Sequence, residues 1–189
     1  MKIPKAVGRV LERLISVAED DTTLRTYVFD SNVNVRSVSA CLKQLNEWAA
    51  ASKAPIEIVL HSPGGDVDSG FRFIEEVRHL RRTHTVTTRA SGLAASMAGL
   101  MLQAGSVRKI GHESTLHLHP PSSGVWGNVH EIREKADRLG LMYDRMIALY
   151  AGRGNLSADE IRREVDSRID WYIPARQAIE LGFADELFS

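Results

Sequence analysis

A serine hydroxyl becomes a useful nucleophile only where the backbone exposes it and a base takes its proton. Ser96 has surroundings of that kind. It lies in "SGLAASMAG", Ser91 to Gly99, where only Leu93 and Met97 are larger than serine. Small residues let backbone approach backbone, and glycine accepts turns that other residues resist. A core helix ordinarily carries larger side chains. The stretch follows the extended "HTVTTRA" and runs into the helical "MAGLMLQAG". A strand–turn–helix junction with Ser96 at the turn is therefore expected, which is the logic of a nucleophile elbow, although G-x-S-x-G itself is absent. Met97 begins the helix, so its amide is available to a reacting carbonyl. The plainer reading is a small serine used for close packing.

A second junction, "HSPGGDVDSG", has the same form. A strand ends, Gly64 and Gly65 follow, and a helix begins near Asp66. Unshielded amides at a helix start gather partial positive charge and receive phosphate or an acyl-transfer oxyanion. The alternative is an ordinary turn. The G-x-G-x-x-G spacing of a dinucleotide site is missing, and no Walker-type G-x-x-x-x-G-K-[ST] occurs, so neither a dinucleotide nor an ATP site is expected.

Histidine is the usual base for serine, and the chain has seven. His79, His84 and His130 lie in polar surroundings and read as solvent-facing. His61 and His112 border turns. His117 and His119 alternate with Leu116 and Leu118, so both point to one face of a strand. The pair serves either as a general base where Pro120 and Pro121 end the strand, or as two metal ligands lacking an obvious third. Strand histidines bonded to their neighbours are the plainer reading. Among carboxylates, Asp170 precedes the apolar "WYIPARQAIELG", where a charge needs a partner and a histidine N–H suits it. Asp166 and Asp185 are the alternatives, Asp166 reading as solvated.

The elements that must position these groups are legible in outline. The 189 residues suffice for one domain, and 24 basic side chains balance 24 acidic ones, which disfavours a nucleic-acid surface. No stretch is apolar enough to span a membrane. The lone Cys41 cannot form an internal disulfide, fits a reducing, cytoplasmic compartment, and reads as helix packing. In residues 1–20, Arg9, Glu12 and Arg13 break the apolar core that a signal peptide needs, while Val7, Val10, Leu11, Leu14 and Ile15 follow helical spacing and predict a docking amphipathic helix. Strands at "LRTYVFD", "IEIVLHS", "HTVTTRA" and "STLHLHPP" alternate with helices at "SVSACLKQLNEWAAAS", "DSGFRFIEEVRHLRR" and "MAGLMLQAG". That spacing argues for a largely parallel sheet. A long helix follows from Asn128, then a helix near Ser157, an extended "DWYI", and a helix from Pro174 to Leu181 capped by Gly182. From Leu139 onward the long helix is apolar on nearly every side, so it must be covered, by another subunit or by "AGRGNLSADEIRREV" folding back.

Taken together, "SPGG", "GLAASMAG", "TLHLHPP" and "DWYIPARQAIELGFADEL" resemble the Clp protease proteolytic subunit, ClpP, and its relatives, from about Tyr27 to Leu187. The resemblance implies an α/β, ClpP/crotonase-like fold over residues 1–189 as a single domain, with a divergent segment at 1–25 and a protruding handle helix at 128–151. It implies a serine endopeptidase acting on unfolded polypeptides. Ser96 falls on the nucleophile, His119 on the base by the pattern histidine, one residue, proline, and Asp170 on the aspartate. Gly64, Gly65 and Met97 fall on the oxyanion hole. Neither metal nor organic cofactor is implied. Relatives form heptameric rings, stacked in pairs around a chamber and fed by AAA+ unfoldases. The family's axial-loop sequence is not recognisable at the N-terminus, and His61 stands where asparagine is usual. Two other functions fit the fold: a crotonase-type acyl-CoA lyase or hydrolase using the paired amides, and a non-catalytic ring subunit beside an active paralogue.

Overall fold

The computed structural model describes residues 23–168 and 170–188. The expected N-terminal amphipathic helix lies outside the described residues. Strands β1 (Arg25–Phe29), β2 (Ile56–Ser62), β3 (Val86–Ala95) and β4 (Val107–Gly111) are parallel neighbours in that order. A short terminal strand, β7 (Glu186–Phe188), adds in parallel to β4. The remaining two, β5 (Thr115–Leu118) and β6 (Trp171–Pro174), form an antiparallel pair joined to β3 through β5. This is the expected α/β, ClpP/crotonase-like architecture.

The helices begin where the sequence supplies caps. Asn34 caps α1 (Val35–Ala51), Asp66 caps α2 (Val67–Leu80), and Asn128 caps α4 (Val129–Ala151). Ser157 caps α5 (Ala158–Asp166), with Glu160 returning the bond as a capping box. Two six-residue helices, α3 (Met97–Leu102) and α6 (Ala175–Glu180), complete the set. The apolar stripe of α2 buries Phe73, Ile74 and Val77 in the same core as Ile56, Ile58 and Leu60 of β2. Each such side chain contributes about 1.5–3 kcal/mol. Cys41 is fully buried in this core, and burial pushes its thiol up to about 12.

Strand β3 is longer than the sequence pattern indicated, because "SGLAA" continues it. Its first half, Thr87 to Ala90, pairs with β4, and its second half, Leu93 to Ala95, pairs with β5. Between the halves Gly92 takes φ +86°, and the register against β2 shifts between Leu60 and Ser62. The bend is fastened from both sides. Ser114 Oγ accepts from the Gly92 amide (2.9 Å) and donates to the Ala90 carbonyl (3.2 Å). His61 Nδ1 lies 3.0 Å from the Ser91 carbonyl and 3.2 Å from the Leu93 amide. The sheet thus hands β3 from one neighbour to another just before Ser96.

Helix α4 packs only through its C-terminal half, where Met146, Ile147 and Tyr150 are buried. Part of its cover comes from the chain itself. Helix α5 lies against it, with Tyr143 donating to Asp166 (2.7 Å) and Arg162 to Asp144 (2.6 Å). Leu141 and Val129 remain 66 % exposed. No helix among the described residues is long and apolar enough to cross a membrane.

Candidate active site

Ser96 closes β3 and opens α3, and it is the one non-glycine among the described residues with positive φ (52°, ψ −122°). Such a conformation strains an L-residue by about 1–3 kcal/mol and persists only where the surroundings impose it. Here its amide donates to the His117 carbonyl (2.7 Å), continuing the β3–β5 ladder, while its carbonyl accepts from Gly99 (3.1 Å). The backbone is held on both sides, and Ser96 Oγ has no hydrogen-bond partner among the described residues.

The small residues of "GLAASMAG" are explained by what crosses them. A Cβ on Gly64 would stand 2.6 Å from the Ala95 carbonyl oxygen and 2.7 Å from Ser96 Cβ. A Cβ on Gly99 would meet the Tyr150 hydroxyl at 2.5 Å. The two glycine-bearing junctions are therefore packed against each other, and Gly64 lies directly beside Ser96.

That loop is itself tied down. The Val33 amide donates to the Gly64 carbonyl and the Asp66 amide to the Val33 carbonyl, both at 2.8 Å. Ser62 Oγ donates to the Ser31 carbonyl (2.6 Å) and accepts from the Gly64 amide (3.1 Å). The Gly64 N–H is thereby occupied. The amides of Gly65 and Met97 donate to no other described group. Ser62 was not singled out from sequence; its position two residues before the glycine whose amide it holds is the signal that could have found it.

His117 and His119 share one face at the end of β5, their rings 5.2 Å apart. The carboxylate of Asp170 is on His117, not His119: Nε2 of His117 donates to Asp170 Oδ1 at 2.6 Å. The His117 ring also stacks on Tyr172 at 4.3 Å, with the planes 8° apart. His119 instead donates Nδ1–H to the Pro120 carbonyl (2.7 Å). The antiparallel ladder ends on the pair Leu118 with Trp171, one residue short of His119 and of Asp170.

The other two carboxylate candidates are engaged elsewhere. Asp166 accepts from Tyr143, and Asp185 binds the buried Arg108 guanidinium. Burial works to raise the Asp185 carboxyl, but hydrogen bonds and charge from Arg108, aided by Arg153, outweigh it and hold it below the ordinary value. His84 departs from its expected solvent-facing place. It is buried, with Nδ1 on Thr83 Oγ1 (2.8 Å) and Nε2 on the Ser52 carbonyl (3.1 Å). No group of three histidine, cysteine or acidic side chains gathers among the described residues as metal ligands would.

A family model described as Clp protease matches residues 12–189. The ATP-dependent Clp protease proteolytic subunit 1 of Prochlorococcus marinus (strain NATL2A) is 32 % identical over 139 residues, covering 71 % of this chain and 67 % of the relative. The chain belongs to the Clp protease family. It is a ClpP-like peptidase, as the motifs around Ser62, Ser96, His119 and Asp170 implied.

Proposed function

We propose that this Clp protease family member is a serine endopeptidase of unfolded polypeptides, with Ser96 as nucleophile, His119 as base and Asp170 as its carboxylate. The observation that carries this reading is the positive φ of Ser96, packed against Gly64 and followed by the unused Met97 amide, with the unused Gly65 amide next to Gly64 in the chain. Ser96 attacks a peptide carbonyl and His119 Nε2 takes its proton. The bond from Nδ1 to Pro120 already sets the tautomer in which Nε2 is free to accept. The developing oxyanion receives the Gly65 and Met97 amides, each worth about 10²–10³ in rate. Gly64 contributes closeness rather than a donor. His119 then protonates the leaving amine, and water releases the acyl group.

His117 is the weaker candidate for the base, although it holds the carboxylate. In a working triad the carboxylate takes Nδ1–H and leaves the outer Nε2 for serine. Asp170 takes Nε2 of His117, which leaves only the nitrogen nearest the backbone.

Family membership supports an oligomeric ring served by an AAA+ unfoldase. The exposed Val129, Ile132 and Leu141 along α4 supply apolar surface for contact between subunits. The test is hydrolysis of an unfolded model protein by wild type and Ser96→Ala. Loss of peptide products in the variant supports the reading. Cleavage that survives Ser96→Ala, or coenzyme A thioester turnover in place of peptide cleavage, overturns it.

A further inference from the structure

We propose that His117 is a lock on the catalytic carboxylate: it holds Asp170 away from His119 in the resting chain, and acylation of Ser96 requires Asp170 to change partners. This rests on the reading of Ser96, His119 and Asp170 given above.

Three observations carry it. First, Asp170 has one imidazole within reach of its 2.6 Å bond, and that imidazole is His117. Second, His117 is fixed in place rather than merely nearby. Its ring lies flat on Tyr172, and its carbonyl takes the Ser96 amide, so β5 and the nucleophile junction are one unit. Third, the alternative partner is poised. His119 is the next same-face residue, 5.2 Å from His117 ring to ring, and its Nδ1–H occupies a neutral carbonyl. A neutral carbonyl orients an imidazole but stabilises imidazolium far less than a carboxylate does. The resting His119 thus has the right tautomer without the charge it needs at the transition state.

Asp170 and His119 are the residues just beyond the last ladder pair, Leu118 with Trp171, and the Asp170 side chain is 44 % exposed, so rotation about its side-chain bonds is the motion that carries the carboxylate from His117 Nε2 to His119 Nδ1. The exchange trades one charge-assisted hydrogen bond for another and also releases the His119 Nδ1–H from the Pro120 carbonyl, a neutral bond of small net worth. The two arrangements therefore lie within a few RT of each other, and a single side chain decides between them.

The experiment compares rates of fluorophosphonate labelling, in which the Ser96 oxygen bonds phosphorus and fluoride leaves, of the full chain as wild type, His117→Phe, His117→Asn, His119→Ala and Ser96→Ala. Phenylalanine keeps the ring on Tyr172 and removes the donor. Asparagine keeps a polar group too short to hold the carboxylate. Both are expected to label faster than wild type, on the order of tenfold for loss of one competing hydrogen bond. His119→Ala and Ser96→Ala are expected to abolish labelling. Proton spectra of ¹⁵N-histidine protein read the partner directly: the low-field imidazole N–H bound to a carboxylate belongs to His117 in wild type and to His119 in His117→Phe. Slower or absent labelling in both His117 variants while His119→Ala still reacts makes His117 the base and overturns the lock. Unchanged rates, or a wild-type low-field signal from His119, overturn it as well. Labelling that persists in Ser96→Ala is a different failure, that of the serine mechanism itself.

Discussion

Gly64 and Ser96 touch across the two junctions: a Cβ on Gly64 would stand 2.7 Å from Ser96 Cβ and 3.0 Å from the Met97 amide nitrogen. Gly64 also takes φ +91°, a region L-residues rarely adopt. Gly64→Ala is therefore wrong twice, in its own backbone and against its neighbour. We expect a loss of more than about 2 kcal/mol in a denaturant titration. Any residual folded protein should be unreactive with a serine probe, because the displaced loop carries the Gly65 amide away from Ser96. Wild-type stability in this variant would contradict the packing described.

Strain at Ser96 is separable from its chemistry. Ser96→Ala and Ser96→Gly both remove the hydroxyl, but only glycine relieves φ 52°. Relief of strain outweighs the extra freedom glycine gives the unfolded chain by about 1 kcal/mol. Ser96→Gly should therefore unfold at higher denaturant than Ser96→Ala, with both inactive. The reverse order would mean the turn is not imposed by its surroundings.

Acid stability depends on Asp185. Its folded carboxyl lies below the ordinary value, so its contribution to folding is full above the unfolded pKa of about 4 and is lost as pH falls through the folded one. Arg108 is 4 % exposed and also donates to Gln103 Oε1 (2.7 Å) and the Gly182 carbonyl (2.8 Å). Arg108→Met should destabilise by about 2–3 kcal/mol at neutral pH. It should also flatten the decline in stability below about pH 4. An unchanged acid limb in that variant would assign the loss to other carboxylates.

Much of this molecule is legible in its sequence, for identifiable reasons. The parallel sheet follows from β-branched runs alternating with amphipathic helices, and the helix starts at Asn128 and Ser157 follow from capping side chains, whereas α1 begins at its Asn34 cap, ahead of the expected Ser37. What escaped was short or conditional. Strand β4, "VRKIG", sets two adjacent charges between Val107 and Ile110 and so lacks a period-two pattern, and β7 has three residues and pairs only with β4. His84 has polar neighbours in sequence, yet a carbonyl 32 residues away buries its ring. The site was legible as types and order but not as partnerships. Period-two spacing puts His117 and His119 on one face, and nothing in that spacing says which ring a carboxylate 51 or 53 positions later will take.

In the proposed mechanism one strained serine, Ser96, does the chemistry. Fluorophosphonate treatment of wild type, followed by intact mass and peptide mapping, shows which serine reacts. We expect one adduct per chain, on the peptide that contains Ser96, and none in Ser96→Ala. An adduct on any other serine, or one that survives Ser96→Ala, would contradict it.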